Sequence, residues 1–293
     1  MTLSPTTVRT LKGLSPYIIE FIGTFFLSLV VNCALMNPNW KLNDDDPSGG
    51  AVPSYPNPYA PMAIGCALLI TVYMGGHISG GHYNPAVSLA VYLSGREQLA
   101  VNSLLFYWVN QFLGGSLAGM IAYGLFNNSP GVFMYYKHGT GRIFGAEWLG
   151  TLLLCLVVLH VGTTKKISGN NFFGLAIGFT LIAASVSVGQ ISGGAFNPAV
   201  ASSVFICCNL DSRAITKGAY AYYLAQIFAA LIAPLIYFLT NIGEEYYEKE
   251  ALAGEAEAAP EDKDIIPNRR STASQLSLVS AASKANEETM PTA

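Results

Sequence analysis

The sequence reads His82-Tyr83-Asn84-Pro85-Ala86-Val87 at one point and Gly194-Ala195-Phe196-Asn197-Pro198-Ala199-Val200 further on. Both stretches carry an Asn-Pro-Ala triplet, and the two asparagines lie 113 residues apart (197 − 84). Each triplet follows a long apolar run that ends in Ile-Ser-Gly-Gly, at 78–81 and at 191–194. One Asn-Pro is common at turns and helix starts, whereas two copies in matching contexts indicate an internal duplication.

The composition indicates a membrane protein. Of the 293 residues, 52% are hydrophobic and 11% are charged, whereas soluble domains have about 25% charged residues. The net charge of −3 gives no basic footprint for nucleic acid, and the apolar composition makes a lipid bilayer the expected partner. The five cysteines lack the spacing of zinc ligands, and the sequence indicates neither a metal site nor a cofactor.

Six apolar runs are long enough to cross a bilayer, which takes about 20 helical residues. They lie at about 16–36, 61–79, 99–126, 144–163, 171–190 and 217–241. Residues 1–15 and the acidic, Ser-rich tail 242–293 are too polar to bury a core, so we predict that both lack stable structure. The connectors 37–60 and 127–142 are predicted to be solvated loops.

The chain is predicted to consist of two repeats, at about 16–126 and 144–241. Glu20 and Glu147 have similar neighbours, since each is followed three residues later by Gly-Thr. Each repeat has three spanning helices, which is an odd number, so the second repeat is inverted relative to the first.

The segments that carry the triplets, at about 84–94 and 197–207, are too short to span the membrane. They are predicted to be re-entrant half-helices that meet near the midplane, where irregular backbone survives only when it lines a cavity or is buried in protein. The predicted fold is therefore an all-α membrane protein, with six transmembrane helices plus two re-entrant half-helices in an inverted repeat.

The meeting point of the half-helices is predicted to be a pore that rejects ions. Both positive helix ends would face the centre, and a dehydrated cation would meet two partial positive charges. Asn84 and Asn197 would offer amide donors to a passing oxygen, and Pro85 and Pro198 suit the first helical position. The expected process is passive permeation without a covalent step. The backbone carbonyls predicted to line the pore are those of Gly80, Gly81, His82, Tyr83, Gly193, Gly194, Ala195 and Phe196.

These residues resemble the aquaporin, or major intrinsic protein, family. The likeness covers about 16–241 and includes Glu20 to Thr24, Gly76 to Val87, Gln111, Glu147 and the second triplet. It implies a homotetramer with one pore per subunit, cytosolic termini, no enzymatic activity, and conduction of water or small neutral solutes. It also implies that Glu20, Glu147 and Gln111 support the pore loops, although a proton-relay role for the two glutamates stays open.

The chain departs from the family's pattern at the narrowest part of the pore. By spacing from Asn84 and Asn197, the four constriction positions fall on Ile64, Ser185, Gly194 and Val200. The family usually has Arg after the second Asn-Pro-Ala, His in the fifth helix of water-selective members, and often an aromatic residue in the second helix. Because Val carries neither charge nor donor, the constriction should be uncharged and mostly apolar. Glycerol, urea and hydrogen peroxide should then pass more easily, unless Phe196, Tyr59 or Tyr55 fills the space.

A second departure is Gln226, where the family usually has Pro nearby; we interpret Gln226 as a copy of Gln111 that preserves the repeat. His82 is expected to fix its loop, with a pH sensor as the alternative.

Two weaker motifs lie outside the membrane. Asn127 begins a glycosylation sequon. The tail has an Arg-Arg before Ser271, Thr272 and Ser274, which is typical of a kinase target.

The charges of the loops favour neither orientation, so cytosolic termini rest on the resemblance. The expected location is the plasma membrane or a vacuolar or vesicular membrane. Two other functions stay open: an ion-coupled secondary transporter, which also uses inverted repeats and broken helices, and a junction or structural membrane protein with little flux.

Overall fold

The computed structural model describes residues 4–36, 57–96, 99–127, 139–210 and 218–258, and for residues 243–258 it describes only the backbone. Within these ranges all regular structure is helical. The helices are α1 (Pro5–Leu35), α2 (Ala60–Ser79), α3 (Pro85–Ser94), α4 (Val101–Phe126), α5 (Gly139–Val158), α6 (Phe173–Ser192), α7 (Pro198–Leu210) and α8 (Ala219–Ala258). A π-helical turn, Leu159–Thr163, continues α5.

Six of the helices contain an apolar stretch long enough to cross a membrane, while α3 and α7 are too short. The six spans are Pro5–Leu35, Ala60–Ser79, Val101–Phe126, Gly139–Thr163, Phe173–Ser192 and Ala219–Ile242. The predicted fold class, with six spanning helices and two short ones that begin at the triplets, is confirmed.

The first helix begins earlier than predicted. Residues 5–15, predicted to lack structure, form the first three turns of α1. Ser4 caps this helix because its Oγ accepts a hydrogen bond from the Thr7 amide at 3.2 Å. Pro16 lacks an amide hydrogen and leaves the Lys12 carbonyl without its helical donor; the Ser15 hydroxyl donates to that carbonyl at 2.9 Å instead.

The chain divides into two compact units, residues 1–241 and residues 242–293. In the second unit the backbone is helical as far as Ala258, so the prediction of an unstructured tail is wrong for residues 242–258. Ala, Glu, Leu and Lys are good helix formers, and they make up most of this stretch. The candidate phosphorylation residues Ser271, Thr272 and Ser274 lie outside the described residues.

The two repeats meet at the crossing of α2 and α6. A Cβ added at Gly65 would lie 2.7 Å from the Gly178 carbonyl oxygen, and one at Gly178 would lie 2.8 Å from the Gly65 carbonyl oxygen. The two residues are 113 apart, the separation of the two asparagines. Only glycine permits this approach of the two backbones.

The irregular backbone of the first loop begins where it was predicted, and that of the second loop begins two residues later than predicted. Ile78 and Ser79 still belong to α2, and Ile191 and Ser192 belong to α6. The non-helical segments are therefore 80–84 and 193–197, each five residues long.

Candidate functional site

Both triplet loops adopt the same unusual backbone conformation. In each loop three residues have positive φ: Gly80 (89°), Gly81 (67°) and Tyr83 (48°) in the first, and Gly193 (91°), Gly194 (71°) and Phe196 (46°) in the second. Glycine adopts such angles without cost, whereas an aromatic residue does so only where neighbouring contacts compensate.

A buried carboxylate holds the first loop. Glu20, on α1, accepts hydrogen bonds from the Ser79 hydroxyl (2.6 Å), the His82 amide (2.9 Å), the Tyr83 amide (2.7 Å) and Gln111 Nε2 (2.8 Å). A carboxylate without water needs several donors, and the loop supplies the amides that its irregular backbone leaves unpaired.

The second loop is held in the same way. Glu147, on α5, accepts hydrogen bonds from the Ser192 hydroxyl (2.6 Å), the Ala195 amide (3.0 Å), the Phe196 amide (2.8 Å) and Gln226 Nε2 (2.8 Å). Gln226 thus makes the contact that Gln111 makes in the first repeat. Both carboxyl groups are fully buried and engaged by loop donors, an arrangement suited to support of the loops.

The aromatic side chains of the loops point away from the centre. A Cβ at Gly23 would overlap the Tyr83 ring, and one at Gly150 would overlap the Phe196 ring. Each ring therefore packs directly against the backbone of α1 or α5. Phe196, which was considered as a side chain that fills the constriction, packs against α5 and is not among the residues that line the cavity described below. Tyr59 is exposed at the start of α2, and Tyr55 lies outside the described residues.

Two tyrosines that the sequence analysis did not single out as site residues anchor the ends of α2 and α6. Tyr107 donates its hydroxyl to the Ser79 carbonyl at 2.8 Å, and Tyr222 donates its hydroxyl to the Ser192 carbonyl. The signal was present in the sequence, because each tyrosine stands four residues before the glutamine that binds a buried glutamate.

The two asparagines link the loops to each other. Asn84 Nδ2 donates to the Phe196 carbonyl at 2.9 Å, and Asn197 Nδ2 donates to the Tyr83 carbonyl at 2.8 Å. The sequence analysis predicted that these two carbonyls line the pore. In the structure each of them accepts a hydrogen bond from an asparagine side chain. Each side-chain amide has a second hydrogen that this bond does not use.

Each asparagine also caps its half-helix. Asn84 Oδ1 accepts from the Ala86 amide at 2.9 Å, and Asn197 Oδ1 accepts from the Ala199 amide at 2.9 Å. Pro85 and Pro198 occupy the first helical positions. Because both helices begin at the linked asparagines, their positive ends converge on one point.

A cavity surrounds the asparagine pair, between α1, α2, α5, α6 and the two loops. Fourteen of its fifteen lining residues form seven pairs that occupy equivalent positions in the two repeats. The pairs are Leu27 with Leu154, Val31 with Val158, Ile64 with Ile177, Leu68 with Leu181, His82 with Ala195, Asn84 with Asn197, and Val87 with Val200; Gly81 is the remaining residue.

The lining carries no Asp, Glu, Lys or Arg, and His82, Asn84 and Asn197 supply its polar side chains. The space open to the centre of a water molecule is about 20 Å³, and about 10–15 Å³ already accommodates one water. The cavity is therefore narrow, aliphatic at its ends and polar beside the triplets.

Two of the four predicted constriction residues line this cavity, Ile64 and Val200. Ser185 and Gly194 are buried but are not among its lining residues. Sequence reasoning missed Val87, Ile177 and the leucine and valine pairs of α1 and α5. Their signal was the repeat itself, which predicts that a residue lining the cavity in one half has a counterpart in the other.

His82 is the main departure from the symmetry of the lining. Its Nδ1 is hydrogen-bonded to Ser88 Oγ at 3.1 Å, and its ring meets Tyr107 edge to face at 5.4 Å. The equivalent positions in the second repeat are Ala195 and Ala201. One half of the cavity thus has an additional polar, ring-bearing side chain.

Two remaining features concern other sites. Within the described ranges, no group of three or more His, Cys, Asp or Glu residues could hold a metal ion. Asn127, the candidate glycosylation residue, is exposed and ends α4 with positive φ, while Ser129 of its sequon lies outside the described residues.

The chain is similar to known membrane channel proteins. The profile of the family described as "Major intrinsic protein" matches residues 7–237, with a second match over 175–261. "Probable aquaporin TIP5-1" of Arabidopsis thaliana is 28% identical over 78% of this chain and 86% of its own. "Glycerol uptake facilitator protein-like 6" of Lactiplantibacillus plantarum is 32% identical over 62% of this chain and 79% of its own.

The fold is similar to that of a solved structure. The aquaglyceroporin from Plasmodium falciparum superposes with a TM-score of 0.52 and 20% identity, over 77% of this chain and 95% of that one. At this identity the likeness concerns the arrangement of the helices.

Proposed function

The chain belongs to the major intrinsic protein family, whose members are passive channels, and we propose that its cavity conducts water, hydrogen peroxide, urea and glycerol while it excludes ions. The observation that carries this proposal is the uncharged cavity around two convergent helix N-termini. A neutral solute can accept a hydrogen bond from the asparagines without an electrostatic penalty. A cation would have to give up its water against two partial positive charges of about +0.5 each.

Selectivity among neutral solutes is proposed to depend on Ile64, Ser185, Gly194 and Val200. Support comes from Ile64 and Val200, which line the cavity and carry no charge. Because the space is close to the size of one or two water molecules, fluxes should decrease from water and hydrogen peroxide to urea and then glycerol. The name of one relative, a glycerol uptake facilitator protein-like protein, supports the inclusion of glycerol.

The remaining roles complete the proposal. Glu20, Glu147 and Gln111 are proposed to maintain the loops, and the chain is proposed to assemble as a homotetramer with cytosolic termini. The plasma membrane or a vacuolar or vesicular membrane is the proposed location. A kinase acting on Ser271, Thr272 or Ser274 is proposed to regulate it through the tail.

The test is solute flux in proteoliposomes that contain the purified full-length chain. Osmotic gradients of sorbitol, urea and glycerol report swelling and shrinkage, and an enclosed peroxide-sensitive dye reports hydrogen peroxide. Flux without an ion gradient supports the channel. Flux that requires a proton or sodium gradient supports a coupled transporter, and no flux of any solute supports a structural role; either result would overturn the proposal.

Variants at Val200 test the constriction separately. Val200→Arg adds a charge and a long side chain, whereas Val200→Met adds comparable length without charge. We expect Val200→Arg to suppress urea, glycerol and peroxide flux more strongly than Val200→Met does, with water affected least. Unchanged peroxide and glycerol flux in Val200→Arg would contradict the assigned role of Val200.

A further inference from the structure

We infer that a solute crosses two apolar constrictions in this protein, one on each side of the Asn84–Asn197 pair, and that Val87 and Ile177 determine selectivity at the second as Val200 and Ile64 do at the first. The inference rests on the proposed channel function. It assigns a role in selectivity to Val87 and Ile177, which do not occupy any of the four positions that form the narrowest point in the family.

The valine and the isoleucine that line the cavity are the same in type at both constrictions. Val87 and Val200 each stand three residues after a triplet asparagine, and both are almost fully buried in the cavity wall. Ile64 and Ile177 each stand 20 residues before a triplet asparagine (84 − 64 and 197 − 177), and both line the same cavity. A solute therefore meets the same pair of aliphatic side chains in each half of the protein.

The two valines lie on opposite sides of the asparagine pair. Three spanning helices per repeat require α3 and α7 to enter from opposite sides of the membrane. With a rise of 1.5 Å per residue, each valine lies about 4.5 Å along its helix from the asparagine. The valines are thus roughly 9 Å apart along the pore, too far to form a single ring.

The chemistry of the lining places a barrier at each constriction. The side chains that can hydrogen-bond a solute, His82, Asn84 and Asn197, stand near the triplets. At the aliphatic positions a polar solute loses hydrogen bonds to water and gains none from side chains, and hydrophobic constrictions of this kind limit conduction. The free energy of a solute along the pore should therefore have a maximum at each constriction and a minimum beside the asparagines.

Two equal barriers in series have a distinctive mutational signature. Each accounts for about half of the total resistance, so removal of one raises flux by at most about twofold, and removal of both raises it by more than the product of the single effects. A single dominant constriction at Val200 predicts instead that Val200→Ala reproduces the double variant and Val87→Ala has no effect.

The test measures urea permeability by stopped-flow light scattering in proteoliposomes, normalised to the amount of reconstituted protein. The variants are Val87→Ala, Val200→Ala and the double substitution. The controls are Val91→Ala and Val204→Ala, which make the same change one turn further along α3 and α7, at buried residues that do not line the cavity. Ile64→Val, Ile177→Val and their combination give a milder second series in case the alanine variants do not fold.

We expect each single valine variant to raise urea permeability by up to about twofold and the double variant by more than the product of the two, with the controls unchanged. The inference is overturned if either valine variant alone accounts for the whole effect, or if the controls increase flux equally. Absence of urea and water flux from the wild-type chain would instead overturn the proposed channel function itself.

Discussion

Gln226 donates its side-chain amide to Glu147 at 2.8 Å, the same distance at which Gln111 donates to Glu20. The sequence comparison within the chain predicted this equivalence, although the family usually has Pro near Gln226. The structure gives the reason for the glutamine: it is one of four donors to a buried carboxylate that also holds the backbone of the second loop.

Substitution of Gln226 by Leu should destabilise the protein. It removes one donor from a buried carboxylate, and hydrogen bonds to charged groups contribute about 1.5–3 kcal/mol each. We expect a lower unfolding temperature of the detergent-solubilised protein, measured by intrinsic tryptophan fluorescence.

The matched control is Ser116→Ala, which removes a hydrogen bond to the Phe112 carbonyl within α4 and touches no carboxylate. It should change stability by about 0.5 kcal/mol or less. An unfolding temperature of Gln226→Leu as high as that of Ser116→Ala would show that Glu147 does not need this donor.

Alanine at Gly150 should also destabilise the chain. A Cβ there would overlap the Phe196 ring, and overpacking of a filled interior costs about 1–3 kcal/mol. Gly23→Ala should have the same effect through Tyr83. Both variants should shift the loop amides that bind the glutamates and reduce water flux as well as the unfolding temperature.

Gly145→Ala is the control for this pair, because it lies on α5 with open space around the added Cβ. Alanine is the better helix former by about 0.5–1 kcal/mol, so this variant should be neutral or slightly stabilised. If Gly145→Ala and Gly150→Ala unfold at the same temperature, the contact between Phe196 and α5 does not matter for stability.

The arrangement of the site was predictable where the repeat encodes it locally. The repeated triplet identifies Asn84 and Asn197 as site residues. The similar sequences around Glu20 and Glu147 identify these two as an equivalent pair. The direction of the Phe196 side chain was not predictable, because it depends on the space beside Gly150, 46 residues away in the sequence (196 − 150). The pairing of Leu27 with Leu154 was missed although it has the spacing of Glu20 and Glu147 (127 positions), because a leucine within an apolar helix carries no distinguishing signal.

The helical start of the chain was missed for a different reason. The polarity of residues 1–15 was interpreted as absence of structure, yet capping by Ser4 and continuity with an apolar helix suffice to make it helical. Polarity reports where a segment meets water, and it does not by itself determine backbone conformation.

The asymmetry at His82 and Ala195 can be tested by exchange. His82→Ala should raise urea flux by up to about twofold, because it removes a ring from one half of a narrow cavity. Ala195→His should lower both urea and water flux, because it adds a ring to the equivalent position of the other half. The double exchange should restore flux towards the wild-type value if the two halves are equivalent. Urea and water permeabilities of the three variants in proteoliposomes provide the measurement.

Two of these outcomes would contradict the equivalence of the halves. One is a double variant whose urea and water fluxes remain as low as those of Ala195→His alone. The other is His82→Ala with wild-type urea flux, which would mean that the His82 ring does not limit the cavity.

Replacement of Asn197 by Asp should allow cations to enter the pore. Aspartate caps a helix as well as asparagine does, so α7 should still begin at Pro198. The two helix ends supply about +0.5 each, and one carboxylate of charge −1 offsets both of them. The same substitution replaces the side-chain amide that donates to the Tyr83 carbonyl by a carboxylate, which can only accept. This loss should lower the free energy of unfolding by about 1–3 kcal/mol.

We therefore expect cation currents in planar bilayers from Asn197→Asp and none from the wild type, together with a moderately lower unfolding temperature. Asn127→Asp adds the same charge at an exposed helix end outside the cavity and should conduct no ions. Asn84→Asp should behave like Asn197→Asp, because the two residues make equivalent contacts. If both cavity variants remain impermeable to cations while they still conduct water, the helix ends are not the barrier to ions, and the apolar residues on either side of them must be.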